Sequence, residues 1–236
     1  MAINRDGIVD SFSKKDGSPV TEADLVSQEI IVKGLEKIVP RLPIISEESA
    51  SVPFDERRYW TRYWLVDPLD GTREFVKRTG EFTINIALIE DSFPVLGVVY
   101  APVIGKIYYA AKGMGAFCES GGKVEKLAVA QRCGEVTRVV ASRSHRGERL
   151  GAYLEKLGDF EEVSMGSSLK FCLVAEGSAD LYPRLGPTME WDTAAAQCVV
   201  EEAGGKVADL SGNRLRYNKA DLHNPDFVVY GGGLDF

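Results

Sequence analysis

No stretch of this 236-residue chain approaches the roughly 20 consecutive apolar residues that a helix needs to cross a bilayer, so a transmembrane helix is excluded. The first residues, Met1-Ala2-Ile3-Asn4-Arg5-Asp6, lack the charged-then-apolar order of a secretory signal. Cysteine is sparse. The four present, Cys118, Cys133, Cys172 and Cys198, are scattered with no C-x-x-C pair. That spacing argues against a zinc site and a disulfide framework, and it points to a reducing cytoplasm. An excess of basic charge is also missing. A formal net charge of −7 disfavours a nucleic-acid polymer as partner, which would require a basic face. A small phosphorylated ligand is compatible, because bound cations and a few Arg or Lys side chains reverse the field locally. Internal repeats and low-complexity segments are absent from the sequence as well.

What remains is an ordinary globular composition, 44% hydrophobic and 27% charged, long enough for one large core or two modest ones. Thr21-Glu22-Ala23-Asp24 fits a capping box that opens a helix to about Ile38, with Leu25, Val26, Ile30, Leu35 and Ile38 as its apolar set. Strands are expected at 44–45, 63–66, 82–89, 94–100 and 106–111. From about Arg138 strands at 139–141, 160–165, 181–182 and 226–230 alternate with helices at 146–157, 167–176 and 191–203. The fold class is α+β, with a largely antiparallel sheet in the first half and an α/β second half. The boundary falls between Lys126 and Arg138, giving an N-terminal domain at 1–132 and a C-terminal domain at 133–236.

The chemistry concentrates where the apolar run Tyr63-Trp64-Leu65-Val66 meets Asp67-Pro68-Leu69-Asp70-Gly71-Thr72. Pro68 cannot donate to a ladder and so reads as the end of a buried strand, while Gly71 permits a tight turn. The turn brings Asp67, Asp70 and the carbonyl of Leu69 together as hard oxygen donors, a set suited to Mg²⁺. Asp-Pro and Asp-Gly also form plain turns, but a second acidic cluster, Ser46-Glu47-Glu48-Ser49, follows the apolar pair Ile44-Ile45. A third carboxylate, Asp192, opens the Ala-rich helix after Glu190-Trp191. Alone it would be an N-cap; with the others it completes a cage between two domains. Glu47, Asp67, Asp70 and Asp192 together repel one another unless cations compensate, and two or three Mg²⁺ ions answer that need. Metal-assisted phosphoester hydrolysis is the reaction class this set suits.

The ordered blocks Thr21-Glu22-Ala23-Asp24, Ser46-Glu47-Glu48, Trp64-Leu65-Val66-Asp67-Pro68-Leu69-Asp70-Gly71-Thr72 and Trp191-Asp192-Thr193-Ala194-Ala195 resemble the lithium-sensitive, Mg²⁺-dependent phosphatases, the inositol monophosphatase superfamily. Gly71-Thr72-Arg73-Glu74-Phe75, the block from Gly80 to Leu88, Ser142-Arg143-Ser144-His145 and the block from Gly166 to Gly177 with Asp180-Leu181-Tyr182-Pro183-Arg184 are most similar to its 3′(2′),5′-bisphosphate nucleotidases of the CysQ group. The resemblance implies a layered αβαβα fold. It makes Glu47, Asp67, the Leu69 carbonyl, Asp70 and Asp192 metal ligands, and gives Thr72 and Asp24 the task of orienting and deprotonating the attacking water. Gly71, Thr72, His145, Ser167, Lys170 and Arg184 become substrate-binding residues, in keeping with the cationic grip a second phosphate requires.

The implied reaction removes the 3′-phosphate of adenosine 3′,5′-bisphosphate to give AMP, with the sulfated relative of that nucleotide as a second substrate. An inositol or sugar phosphate substrate, and a non-catalytic Mg²⁺ or nucleotide binder, are the alternatives. Lithium sensitivity, a homodimer and a cytoplasmic location, with peripheral contact at the inner membrane, also follow from the resemblance. So does an additional N-terminal helix, just after which this chain starts. No role falls to His223, and Lys14 and Lys15 read as a basic loop.

Overall fold

The computed structural model describes residues 11–13, 19–49, 52–131, 136–141 and 148–233. The first described elements are the short pair β1 (Ser11–Ser13) and β2 (Pro19–Thr21), then α1 (Glu22–Leu35), β3 (Ile44–Ser46), a 3₁₀ turn at Glu47–Ser49 and α2 (Phe54–Arg57). Next come β4 (Arg62–Asp70), α3 (Thr72–Val76), β5 (Thr83–Glu90), β6 (Phe93–Ala101), β7 (Lys106–Ala111), β8 (Gly115–Ser120) and β9 (Lys123–Lys126). The remainder is β10 (Thr137–Ala141), α4 (Glu148–Glu155), β11 (Phe160–Ser164), α5 (Leu169–Ala175), β12 (Leu181–Arg184), α6 (Glu190–Glu202), β13 (Lys206–Asp209) and β14 (Phe227–Tyr230).

Strands β3 to β9 form a seven-stranded sheet in sequence order, antiparallel except for β3, which runs parallel to β4 at one edge. A five-stranded sheet follows the order β11-β10-β12-β14-β13, with β10 parallel to both neighbours and β14 antiparallel to both of its own. Helices α5 and α6 pack in the space between the sheets, and one apolar core joins their side chains to those of β5, β7, β12 and β14. The outer face of the large sheet is covered by α1 through Leu35, Trp64, Val66 and Leu88. The outer face of the smaller sheet is covered by α4 through Leu150 and Leu154. The layers therefore alternate αβαβα, as the resemblance implied. The expected domain boundary at 132/133 lies outside the described residues, and so does Cys133. Cys118, Cys172 and Cys198 are buried free thiols.

The middle layer explains the small residues of α6. A Cβ on Gly97 of β6 would sit 2.2 Å from the Ala195 carbonyl, so the helix lies almost on the strand backbone. Only Gly beneath and Ala above permit that approach. Trp64 and Trp191 are buried and Trp60 packs on the core.

Three expectations are corrected. Helix α1 stops at Leu35, and its predicted apolar set does not face the sheet: Leu25, Val26, Ile30 and Ile38 are exposed, and of the five only Leu35 is buried. The face that docks carries Asp24, Ser27, Gln28, Ile31 and Leu35, with Ser27 Oγ donating to the Pro68 carbonyl at 2.8 Å and Ser46 Oγ donating to Gln28. A polar, hydrogen-bonded face outcompetes the apolar stripe because it completes the groups at the end of β4. Secondly, Pro68 does not end β4. The strand pairs Asp67 with Asn85 and Asp70 with Thr83, leaving two residues on one side against one on the other, so Pro68 and Leu69 form a bulge where no ladder N–H is needed. Thirdly, β8, β9 and β13 were not foreseen.

Candidate active site

The bulge places the donors. Asp67 Oδ1 accepts the Leu69 N–H at 3.0 Å, which folds the dipeptide back over the carboxylate. Gly71 follows at φ 91°, in the left-handed region that L side chains avoid, and there α3 begins. A Cβ at Gly71 would meet the Glu81 carbonyl at 3.2 Å and Ser167 Cβ at 3.3 Å, so the turn is also tightly enclosed. Thr72 Oγ1 lies 3.3 Å from Asp24 Oδ1 and 3.4 Å from the Leu69 carbonyl. Asp24 spends its other oxygen on the start of α1, where Oδ2 accepts the Thr21 N–H at 2.8 Å and the Thr21 hydroxyl at 2.6 Å. One buried carboxylate thus caps a helix and reaches the site.

Glu47, Asp70, Thr72, Lys170, Arg184 and Asp192 line a single cleft of about 250 Å³, with Gly71 and Ser167 in its wall. Asp67, almost wholly buried, lies beneath it and is close enough to feel the charges of Glu47, Asp70 and Asp192. Burial first, then those neighbours, push the Asp67 carboxyl well above the usual carboxylate range. Asp192 is raised in the same way, by burial, then by Asp70 and Glu47, against the Met189 N–H that its Oδ2 accepts at 2.8 Å. Among the described residues no Lys or Arg forms an ion pair with Asp67, Asp70 or Asp192. Nor do three acidic, His or Cys side chains already close on one point as a finished cage. Neighbouring carboxylates without ion pairs, Asp67, Asp70 and Asp192, with the Leu69 carbonyl on the same strand end, are donors of the kind a hard divalent cation takes, and Mg²⁺ fits them.

The same cleft also holds cations. Lys170 is buried, donates from Nζ to the Ser167 carbonyl at 2.6 Å, and sits 5.5 Å over the Tyr182 ring. Burial, with Arg184 adding to it, lowers its pKa to about 8 against the pull of Asp70, Glu74 and Asp192. Arg184 donates from Nη2 to the Pro187 carbonyl at 2.8 Å, while its buried Nε has no partner. Ser167 adopts φ 47° at the turn into α5. His145, Lys14 and Lys15 lie outside the described residues. His223 pairs with Asp221 at 2.7 Å, away from the cleft-lining set.

Residues given no role from sequence also act here. Ser168 donates from both N and Oγ to Asp70 Oδ2, each at 2.6 Å. Glu190 is fully buried and accepts the N–H groups of Asn218 and Lys219 and the Lys219 ammonium at 2.7, 3.0 and 2.6 Å. The signal for the first was Asn85, a polar residue on the inward face of β5 that donates to Ser168 Oγ at 2.8 Å. A larger hollow of about 390 Å³ lies between Phe93, Glu201 and Arg214. Two of its acids are engaged: Glu201 is bound by Arg214 at 2.7 and 2.6 Å, and Glu202 by the N–H groups of Gly113 and Gly115.

Residues 2–230 match the model of the inositol monophosphatase family. The chain belongs to that family. It is 51% identical over 217 residues to the 3′(2′),5′-bisphosphate nucleotidase CysQ of Salmonella typhimurium, covering 92% of this chain and 87% of that protein. The nucleotidase of the same name from Escherichia coli K12 is 50% identical over 222 residues, covering 94% and 89%. Among solved structures, CysQ of Bacteroides thetaiotaomicron, described as a bacterial member of the family, superposes with a TM-score of 0.84 at 43% identity, covering 92% and 86%. The Thermotoga maritima inositol monophosphatase TM1415 gives a TM-score of 0.77 at 29% identity, covering 96% and 84%. Among the described residues, no helix is long and apolar enough to cross a membrane.

Proposed function

We propose that this chain is a Mg²⁺-dependent phosphatase that converts adenosine 3′,5′-bisphosphate to AMP and phosphate, with the sulfated nucleotide as a further substrate. One observation carries the reading: a single cleft lined both by the carboxylates Asp70 and Asp192, neither in an ion pair among the described residues, and by the cations Lys170 and Arg184. Such a cleft suits a molecule with one phosphate to be cleaved and a second to be held. The names and identities of the Salmonella and Escherichia relatives support the nucleotide.

Glu47, Asp67, the Leu69 carbonyl, Asp70 and Asp192 would hold two or three Mg²⁺ ions. When bound, these ions lower the pKa of a water and neutralise charge on the phosphate and its leaving oxygen. Thr72 Oγ1 accepts a hydrogen bond from the attacking water and passes its own proton to Asp24, which lies within reach. The water oxygen forms a bond to phosphorus as the bond from phosphorus to ribose O3′ breaks in line, and that oxygen leaves to be protonated. Lys170 and Arg184 grip the phosphate that remains, and Ser167 and His145 are assigned to the same task by the resemblance. In this reading 1–132 and 133–236 each supply part of the site, and two chains form a homodimer.

Phosphate release from adenosine 3′,5′-bisphosphate, compared with inositol 1-phosphate at equal Mg²⁺, tests the assignment. A higher kcat/KM on the nucleotide is expected. Preference for the inositol ester would move the chain to the monophosphatase branch, and nucleotide binding without phosphate release would make it a binder.

A further inference from the structure

Ser168 occupies an unusual position. It is 2% exposed and joins three elements through one hydroxyl. Its Oγ lies 2.6 Å from Asp70 Oδ2 at the end of β4, 2.8 Å from the main-chain carbonyl of Asp192 in α6, and 2.8 Å from Asn85 Nδ2 in β5. Its backbone N–H adds a second 2.6 Å bond to the same Asp70 oxygen. A serine hydroxyl has one proton and two lone pairs. Asn85 can only donate from Nδ2, so it takes a lone pair, and the proton is shared between the Asp70 carboxylate and the Asp192 carbonyl.

The turn before Ser168 is held for this purpose. Ser167 at φ 47° swings the Ser168 amide onto the carboxylate. Gly166 donates its N–H to Glu81 Oε2 at 2.8 Å, and a Cβ there would lie 2.8 Å from the Glu81 carbonyl. Asp70 Oδ2 is thereby saturated by protein donors, while Oδ1 makes no hydrogen bond among the described residues.

We propose that Ser168 is the positioning residue that fixes Asp70 against Asp192 for divalent-cation binding, so that one hydroxyl couples two ligands from different parts of the chain. The inference rests on the metal-dependent reading above and deepens it. With Oδ2 held, Asp70 offers one oxygen in one orientation, and α6 cannot drift from β4 without breaking the Asp192 carbonyl contact. Groups that orient a metal ligand typically contribute 10–100-fold in affinity.

The test is calorimetric titration of the full chain with Mg²⁺ in the absence of substrate, alongside thermal unfolding in EDTA. Ser168→Ala is expected to weaken Mg²⁺ binding about 10–100-fold. Its unfolding midpoint in EDTA should fall, because Asn85 Nδ2 and the Asp192 carbonyl lose a buried partner, while turnover should recover at saturating Mg²⁺. Asn85→Ala, which leaves the serine in place, should produce a smaller loss of the same kind and reads the coupling if Ser168→Ala does not fold. In an Asp70→Asn background, Ser168→Ala should add nothing. Parental Mg²⁺ affinity in Ser168→Ala, or an equal loss with and without Asp70, would overturn the proposal. Because no substrate is present, a protein that binds Mg²⁺ as expected yet releases no phosphate would sink the phosphatase reading alone.

Discussion

Thr72 Oγ1 donates to Asp24 Oδ1 across 3.3 Å, joining residues 48 positions apart in the chain. The bond crosses from the first turn of α3 to the first turn of α1, and both ends are fixed by other contacts. Asp24→Asn and Thr72→Ala should each lower kcat by about 10²–10⁴, the usual contribution of proton transfer by a placed side chain. KM for the bisphosphate should change little, and the double variant should be no slower than the worse single one. Steady-state kinetics at saturating Mg²⁺ decides this, and additive losses would show that the two do not act as a unit.

With Lys170 gripping a phosphate as proposed, its depressed pKa, about 8, would set a pH limit on substrate capture. Burial is the main cause, so the ammonium is charged below that value and neutral above it. The kcat/KM for the bisphosphate, which reports the free enzyme, should fall as pH rises through about 8. Lys170→Arg keeps its charge throughout this range and should move the falling limb to higher pH. An unchanged profile in that variant would assign the limb to another group.

The carboxylate cluster favours cation binding at the expense of the bare fold. Asp67 and Asp192 are both held above their ordinary pKa by burial and by neighbouring carboxylates, Asp70 and Glu47 among them, so their charged forms cost stability at neutral pH. Removing one charge with Asp192→Asn should raise the unfolding midpoint in EDTA by about 2–4 °C, roughly 1 kcal/mol for a chain of this size. The rise on adding Mg²⁺ should shrink or vanish in the same variant. A lower midpoint in EDTA would show that Asp192 is stabilised by the protein itself.

Arg57, 3% exposed, clamps residues 218–220. It donates to Asn218 Oδ1 at 3.0 Å, to the Lys219 carbonyl at 2.6 Å and to the Ala220 carbonyl at 2.9 Å. Arg57→Ala leaves those acceptors without donors and should lower unfolding free energy by at least about 2 kcal/mol in urea titration. Arg57→Lys should recover only part of it, because an ammonium cannot span three acceptors as the planar fork does.

Gly97→Ala should cost about 1–3 kcal/mol despite adding a single methyl group, because the helix backbone occupies that space. Since α6 must lift to make room, Mg²⁺ affinity should fall with stability in a calorimetric titration. A neutral substitution would mean that the strand yields instead of the helix.

Much of this was legible in the chain because the chemistry sits in contiguous strings. Asp67, Leu69, Asp70, Gly71 and Thr72 are neighbours, and a turn at the end of a buried strand leaves few arrangements for them. The face of α1 was not legible. Its apolar stripe is real, but Asp24, Ser27 and Gln28 are needed at the end of the sheet, and residue polarity does not reveal such a partner. Strands β8 and β9 escaped notice because β9 is exposed along its whole length and carries no buried pattern. Ser168 and Glu190 escaped for the opposite reason: each is polar, buried and satisfied only by segments distant in sequence. Pro68 misled because a bulge removes the need for the hydrogen bond that proline lacks.

The clamp on residues 218–220 bears on how the molecule is made. Glu190 receives three donors from Asn218 and Lys219, and those same residues receive Arg57 from the other half of the chain. A nascent polypeptide halted before Asn218 has a carboxylate to bury at the head of α6 and nothing to neutralise it. The head of α6, and with it Asp192, is therefore fixed only after Asn218 and Lys219 have been made.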